Sequence, residues 1–260
     1  MSKILNFFKR NLKEVLREPL IYIFCLGFPL VMLILFQVIN KYTGGQTPMF
    51  ELRSLLPAII MFSYSFVMLT MSLLVSKDRQ TFFLKRLYSS PMRNYHFILG
   101  YALVGLVVGV FQALISLLSG LIIALISGSA YLSILQILLL VLTQIPMLVM
   151  NVFIGILFGT LFNDKSAPGV CSIVISLCGV LGGCWMPLES MGGFETFCRF
   201  LPFYPSVYLG RVAAGASNLF NQIYTFDGVA RLGLLPVILF ATLSVVLSFI
   251  IFKTSMTSDK

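Results

Sequence analysis

Asn94–Asn163 reads NYHFILGYALVGLVVGVFQALISLLSGLIIALISGSAYLSILQILLLVLTQIPMLVMNVFIGILFGTLFN, 70 residues without one Asp, Glu, Lys or Arg. A helix crosses a hydrocarbon core of about 30 Å with about 20 apolar residues. The run is therefore too long for one span and fits two long ones. Its midpoint, Ser127-Gly128-Ser129-Ala130, is a turn signal. Strands of a membrane barrel would alternate polar and apolar residues, and this run does not.

Outward from that run, the remaining charges punctuate the chain in the same way. Uncharged stretches of 22, 23, 23 and 21 residues follow Glu18, Arg53, Lys165 and Arg231. Six spans are expected, near 20–40, 54–76, 97–126, 132–162, 167–187 and 232–252, in a single transmembrane domain covering 1–260. The fold class is all-α integral membrane protein. Composition agrees: 58% of the residues are hydrophobic and 10% charged, against about 25% charged in soluble domains. A soluble enzyme and a disordered chain are excluded.

The net charge of +9 would suggest nucleic acid in a soluble protein. Here the cations are few and segregated, so no nucleic-acid partner is expected. With six spans both termini share a side. That side would collect thirteen Lys/Arg against five on the other, which places the termini in the cytoplasm. The first apolar run is long enough to span and no small-residue cleavage site follows it, so no removed signal peptide is expected.

Three pieces lie outside the spans. Residues 2–18 carry Leu5, Phe8, Leu12, Val15 and Leu16 at helical spacing among Lys9, Arg10, Lys13 and Arg17. This is the pattern of an amphipathic helix lying in the membrane interface, and it serves a plain anchor as well as a mechanical part. Pro19 breaks it. The loop between spans two and three, Lys77–Tyr95, reads KDRQTFFLKRLYSSPMRNY. Phe82, Phe83, Leu87 and Tyr88 make one apolar side of a short helix, a surface to be buried on the bilayer or on a partner. Residues 188–231 are apolar, aromatic and broken by Gly and Pro. They fit re-entrant half-helices, or else an aromatic interface belt.

Several chemistries are missing. No GxxxxGK[ST] cradles a nucleotide. His96 is the one histidine, without partners for a catalytic dyad or metal site. No ionisable residue sits mid-span, against a proton- or ion-coupled carrier. Gln37, Gln112, Gln136, Gln144 and Asn151 are read as bonding between helices. The five cysteines show no metal pattern and read as packing residues, with a Cys184–Cys198 disulfide geometrically open at the outer face. Gly105/Gly109, Gly155/Gly159 and Gly179/Gly183 permit close helix contact within one chain or between two.

The order of these parts resembles the type-two permeases of ATP-binding-cassette (ABC) exporters, over essentially the whole chain. Arg17-Glu18-Pro19 and Phe28-Pro29 resemble that family's approach to its first span. Lys77-Asp78-Arg79 through Leu87-Tyr88-Ser89-Ser90-Pro91 is similar to its first cytoplasmic loop, with Asp78 where two glutamates are frequent. Most specific is Gly182 through Met191, with Pro187, followed by Phe200-Leu201-Pro202 and Arg211. Gly192 stands where a second proline is usual.

The resemblance implies a permease subunit in the bacterial-type plasma membrane. It implies a second permease chain, taken as identical, and two separate ATPase chains that hold the ATP and magnesium, with no cofactor in this chain. Residues 81–90 would be a coupling helix docking on the ATPase, with Asp78, Phe82, Phe83, Leu84, Arg86, Leu87 and Tyr88 carrying the contact and the interfacial helix bracing it. The pathway would be lined by spans one, two and five, with Phe24, Phe28, Phe62, Tyr64 and Phe66, and with Trp185 and Tyr204 near the outer gate. Pro19, Pro29, Pro187, Pro202 and Arg211 would be structural. The implied activity is outward, ATP-driven movement of an amphipathic drug, antibiotic or lipid-like molecule, with multidrug export as the nearest type. The alternatives are export of a polysaccharide or lipid-linked glycan and, in another class, a passive channel or structural bundle.

Overall fold

The computed structural model describes residues 2–19, 22–44, 48–81, 94–226 and 228–258, and these are helical apart from short connections. Among them the one β feature is an isolated bridge between Ser217 and Ile223. The helices are α1 (Ser2–Val15), α2 (Phe28–Tyr42), α3 (Leu52–Gln80), α4 (Asn94–Ser127), α5 (Ile134–Leu161), α6 (Ala167–Leu181), α7 (Gly193–Arg199), α8 (Phe203–Ala214) and α9 (Gly228–Ser258).

Four of them are long and apolar enough to cross a membrane: Leu52–Gln80, Tyr95–Ser127, Ile134–Leu161 and Ala230–Ser255. The expected spans one and five are not among these four: their α-helical parts, α2 and α6, are apolar and 15 residues long. Local chemistry sets where each α-helical part begins or ends. A π-helical turn, Tyr22–Gly27, runs into α2. Pro29 at the start of α2 brings no N–H and its ring would clash with the carbonyl four residues back, so the chain widens before it. At the other end, α6 stops at Leu181 because Gly183 takes φ +62, a conformation glycine adopts without a Cβ penalty.

The reversal within the uncharged run falls at Gly128, φ +66. Ser133 then caps α5 in a reciprocal capping box: its backbone N–H donates to Gln136 Oε1 at 2.8 Å, and its Oγ accepts from the Gln136 N–H at 3.3 Å.

Helix α3 is the centre of the bundle and is buried along nearly its whole length. The others keep apolar residues exposed on one side, such as Phe111, Leu118 and Leu125 on α4 and Leu235, Leu239 and Leu243 on α9. Exposed apolar faces of this kind suit lipid rather than water. The α5 pair Gly155/Gly159 explains the close approach to α3. A Cβ at Gly155 would lie 2.5 Å from the Met68 carbonyl oxygen, and one at Gly159 would lie 2.6 Å from that of Ser72. This small-xxx-small contact is made within the chain.

Buried serines and threonines mostly bond carbonyls of their own helix, whereas three glutamines join separate elements. Gln112 Nε2 donates to the Ser63 carbonyl at 2.9 Å, Gln37 Nε2 to that of Phe50 at 2.8 Å, and Gln144 Nε2 to that of Ser206 at 2.8 Å. Gln136 serves the cap instead, and Asn151 donates to Met147 within its own helix. All five cysteines are free and buried, so the Cys184–Cys198 bridge is not formed. Cys184 packs toward the Ala58 carbonyl, and Cys198 packs with Leu188 and Tyr204.

Candidate functional site

At one end of the bundle, α1 lies across α4 and the end of α3. Phe7 sets its ring edge-on to Phe97 and Tyr101, with centroids 5.4 and 5.0 Å apart. Gly100 leaves the space that the Phe7 ring fills. The apolar face expected for the membrane interface is thereby divided. Val15 is buried in the protein and Phe8 and Leu12 pack on its core, while Leu5 and Leu16 stay exposed.

Next to this contact Asp78 is buried, at 1% exposure. Both its oxygens are taken by Arg10, Nη1 to Oδ2 at 2.6 Å and Nη2 to Oδ1 at 2.8 Å, and the Tyr101 hydroxyl donates to Oδ2 at 2.6 Å. Such two-point guanidinium–carboxylate pairing is strong and directional. Burial alone would lower the Arg10 pKa; the Asp78 carboxylate outweighs it and holds the guanidinium above its ordinary value. Lys77 bonds Glu18 at 2.8 Å, and Arg79 donates to the Thr160 carbonyl. Three consecutive residues at the end of α3 are thus tied to three different partners, immediately before residue 81.

A column of aromatic rings runs along the inside of α2 and α3. Phe28 meets Phe66 at 4.8 Å and Phe62 at 5.6 Å between centroids. Phe62 meets Trp185 edge-on at 5.0 Å; Trp185 stacks on Phe36 at 5.0 Å, and Phe36 stacks on Phe50 at 5.0 Å. No member is charged. The offset and edge-on arrangements are those that ring quadrupoles favour.

At the opposite end Arg211 is buried, at 3% exposure. Its Nε donates to the Ser54 carbonyl at 3.3 Å and its Nη2 to the Gly183 carbonyl at 3.1 Å, with the Tyr224 ring centroid 5.8 Å away. It thus ties the start of α3 to the turn that ends α6. Around it Tyr224 donates to Glu189, and Tyr204 donates to Glu195 at 3.1 Å. Burial first, then the Glu195 and Glu189 carboxylates, push the Tyr204 phenol well above its usual range, so it remains a donor. Pro187 precedes the 3-10 turn Leu188–Ser190 and Pro202 caps α8. Gly192 takes φ +53, which a proline, held near −65°, cannot adopt.

Of the residues singled out from the sequence, Phe28, Phe62, Phe66 and Trp185 come together. Tyr64 is buried outside the column, and Tyr204 belongs to the separate outer cluster with Leu188 and Cys198. Asp78 faces α1 rather than an open surface. Phe82, Phe83, Leu84, Arg86, Leu87, Tyr88 and the Phe24 side chain lie outside the described residues. Sequence reasoning missed Arg10 and Tyr101 as partners of Asp78, and Phe36 and Phe50 as members of the column. Phe36 stands eight residues after Phe28 on the same helix, a spacing that could have found it. The Arg10–Asp78 pair spans 68 positions and left no local signal.

A protein-family model described as ABC-2 type transporter matches residues 3–214. No curated protein and no solved structure matches significantly. The family match covers most of the chain, and the chain belongs to the ABC-2 type transporter family. It is a transmembrane permease component of an ABC transporter and a multi-pass membrane protein.

Proposed function

We propose that this ABC-2 permease exports an amphipathic molecule such as a drug, antibiotic or lipid-like compound. It would work with a second copy of itself and with separate ATPase chains that hold ATP and magnesium. The observation that carries the cargo reading is the uncharged aromatic column from Phe66 to Phe50, bounded by α2, α3 and the turn after α6. Rings of this kind offer a planar apolar molecule contacts that cost no desolvated charge.

Residues 81–90 are the proposed docking segment for the ATPase. What supports this is the fastening just before them: a push on that segment meets Asp78, and through Arg10 it reaches α1. Transport needs nucleotide state to bias two arrangements of the pathway, and two fastened elements move together under such a bias.

Trp185 is the only tryptophan, so its fluorescence reads the column directly. Amphipathic compounds should quench or shift it in the purified permease, and Phe36→Ala should weaken the apparent affinity. Compounds that are exported yet leave Trp185 unchanged would sink the column as pathway. For coupling, an ATPase encoded beside the gene should co-purify with wild type and be released by Phe83→Asp with Leu87→Asp. If no ATPase binds wild type, the passive or structural reading takes over.

One observation favours a lipid-linked glycan as second reading: a cavity of about 260 Å³ between α8 and α9, lined by Tyr204, Tyr208 and Arg199. Tyrosines stack on sugar rings as they do on other planar apolar faces. Stimulation of the partner ATPase by a lipid-linked glycan, and not by drugs, would select it.

A further inference from the structure

A groove of about 650 Å³ lies where α1 meets the end of α3, and every side chain lining it is polar. Its carboxylates are already engaged: Glu14 meets Arg10 at 2.7 Å, and Glu18 meets Lys77 at 2.8 Å. Arg10 in turn is held by Asp78. Lys9, Lys13 and Arg17 line the same groove, and among the described residues none of the three has a carboxylate within ion-pair distance. Lys9 and Lys13 stand one turn apart on α1, about 6 Å along its axis, and Arg17 follows in the turn after Val15.

The surroundings of these cations narrow the ligand. Leu5 lies one turn before Lys9 and Leu16 just past the end of α1, on the side of the helix next to the cations, and they are 44% and 52% exposed. The face beyond them is buried in the bundle through Phe7, Asn11 and Val15. Going round α1, one meets protein, then exposed leucine, then uncancelled cations. A free anion in water has no use for the leucines, and an apolar peptide has no use for the cations. A molecule with a phosphate next to an acyl chain uses both.

We propose that this groove binds the headgroup of an anionic phospholipid. Lys9, Lys13 and Arg17 meet the phosphate, and Leu5 and Leu16 meet the first methylenes of the chains. The bound lipid touches the same helix that holds Asp78, so its occupancy would stiffen the attachment of α1 to the bundle. The proposal goes beyond the transport reading and is tested without nucleotide or ATPase.

The test is native mass spectrometry of the full-length permease in neutral detergent, counting retained phosphatidylglycerol and phosphatidylcholine. Wild type should retain phosphatidylglycerol at least about tenfold better. Lys9→Gln/Lys13→Gln/Arg17→Gln should bring the two lipids level. Lys165→Gln with Lys253→Gln, which changes cations elsewhere, should leave the preference intact. Leu5→Ser/Leu16→Ser should weaken phosphatidylglycerol retention, and soluble glycerol phosphate should not compete. If the triple variant does not fold, Lys13→Gln alone must lower the preference by about twofold or more. Equal retention of both lipids by wild type would overturn the proposal, as would an unchanged preference in the folded variants. Competition by glycerol phosphate at lipid-like concentration would make this a soluble-anion site and overturn the lipid assignment.

Discussion

Two arginines sit at opposite ends of the bundle and are held differently: Arg211 is buried, whereas Arg10 is half-buried and reaches in to a buried carboxylate. Arg10 meets two carboxylates, Asp78 and Glu14, and the Tyr101 phenol donates to the same Asp78. Arg211 meets two backbone carbonyls and the face of a tyrosine. A carboxylate is a side chain that can be released when its helix moves. A backbone carbonyl at the end of a helix is part of the chain path itself. The first arrangement therefore fastens two elements that are far apart in sequence and can be refastened. The second holds a turn in shape. Between the two ends stands the aromatic column, which has no charge to hold it and depends on packing alone.

The sharpest break in this comparison comes from Arg10→Ala. It leaves the Asp78 carboxylate, at 1% exposure, with the neutral Tyr101 phenol, and the cost is about 3 kcal/mol, the low end for a buried pair because Arg10 is itself 35% exposed. A large fall in melting temperature of the detergent-solubilised permease is expected. Arg10→Ala with Asp78→Ala should recover much of it, because no charge is then left unpaired. If the double variant is worse than either single one, the pair is not the unit argued here.

Arg211→Ala should cost about 2 kcal/mol, the worth of hydrogen bonds from a charged donor. Arg211→Lys should fail to restore it, since one ammonium cannot reproduce the fork that reaches both Ser54 and Gly183. Full rescue by lysine, read in the same melting assay, would remove the distinction between the two ends. Tyr101→Phe takes one donor from Asp78 and leaves Arg10 in place, so a loss of about 1 kcal/mol is expected. A loss as large as that of Arg10→Ala would mean that the phenol, not the guanidinium, holds α3.

Smallest is the column: Phe36→Leu keeps most of the buried area and should cost under about 1 kcal/mol, the part due to ring geometry. The Trp185 emission maximum should nevertheless move, since its stacked neighbour at 5.0 Å is gone. An unmoved maximum would mean that the stack does not exist in solution.

Much of this organisation could be read from the chain in advance, and the reasons differ by region. The uncharged run and its Ser-Gly-Ser midpoint located a reversal that the structure places at Gly128, because turn chemistry is local. Span one was read as a plain crossing; the π-helical turn before Pro29 was not foreseen, since hydropathy counts residues and not hydrogen-bond register. The amphipathic pattern of α1 was visible, but what its apolar face would touch was not. A bilayer and a protein core are equally apolar, so periodicity cannot separate them. Phe28, Phe62 and Phe66 were named as pathway lining, and Trp185 as near the outer gate, through a family resemblance; that they touch was not foreseen, and Tyr64, named with them, is buried outside the column.

Hydropathy and charge spacing alone determined that this is an all-α membrane protein, because burial of apolar surface and exclusion of charge act residue by residue along the chain. The family motifs after span five determined its class. Only the tertiary structure decided that Asp78 turns inward to Arg10 and Tyr101, that Arg211 ties Ser54 to Gly183, and that Phe36 and Phe50 complete the column. Those contacts join residues from 14 to 157 positions apart, and they exist only once the helices have packed.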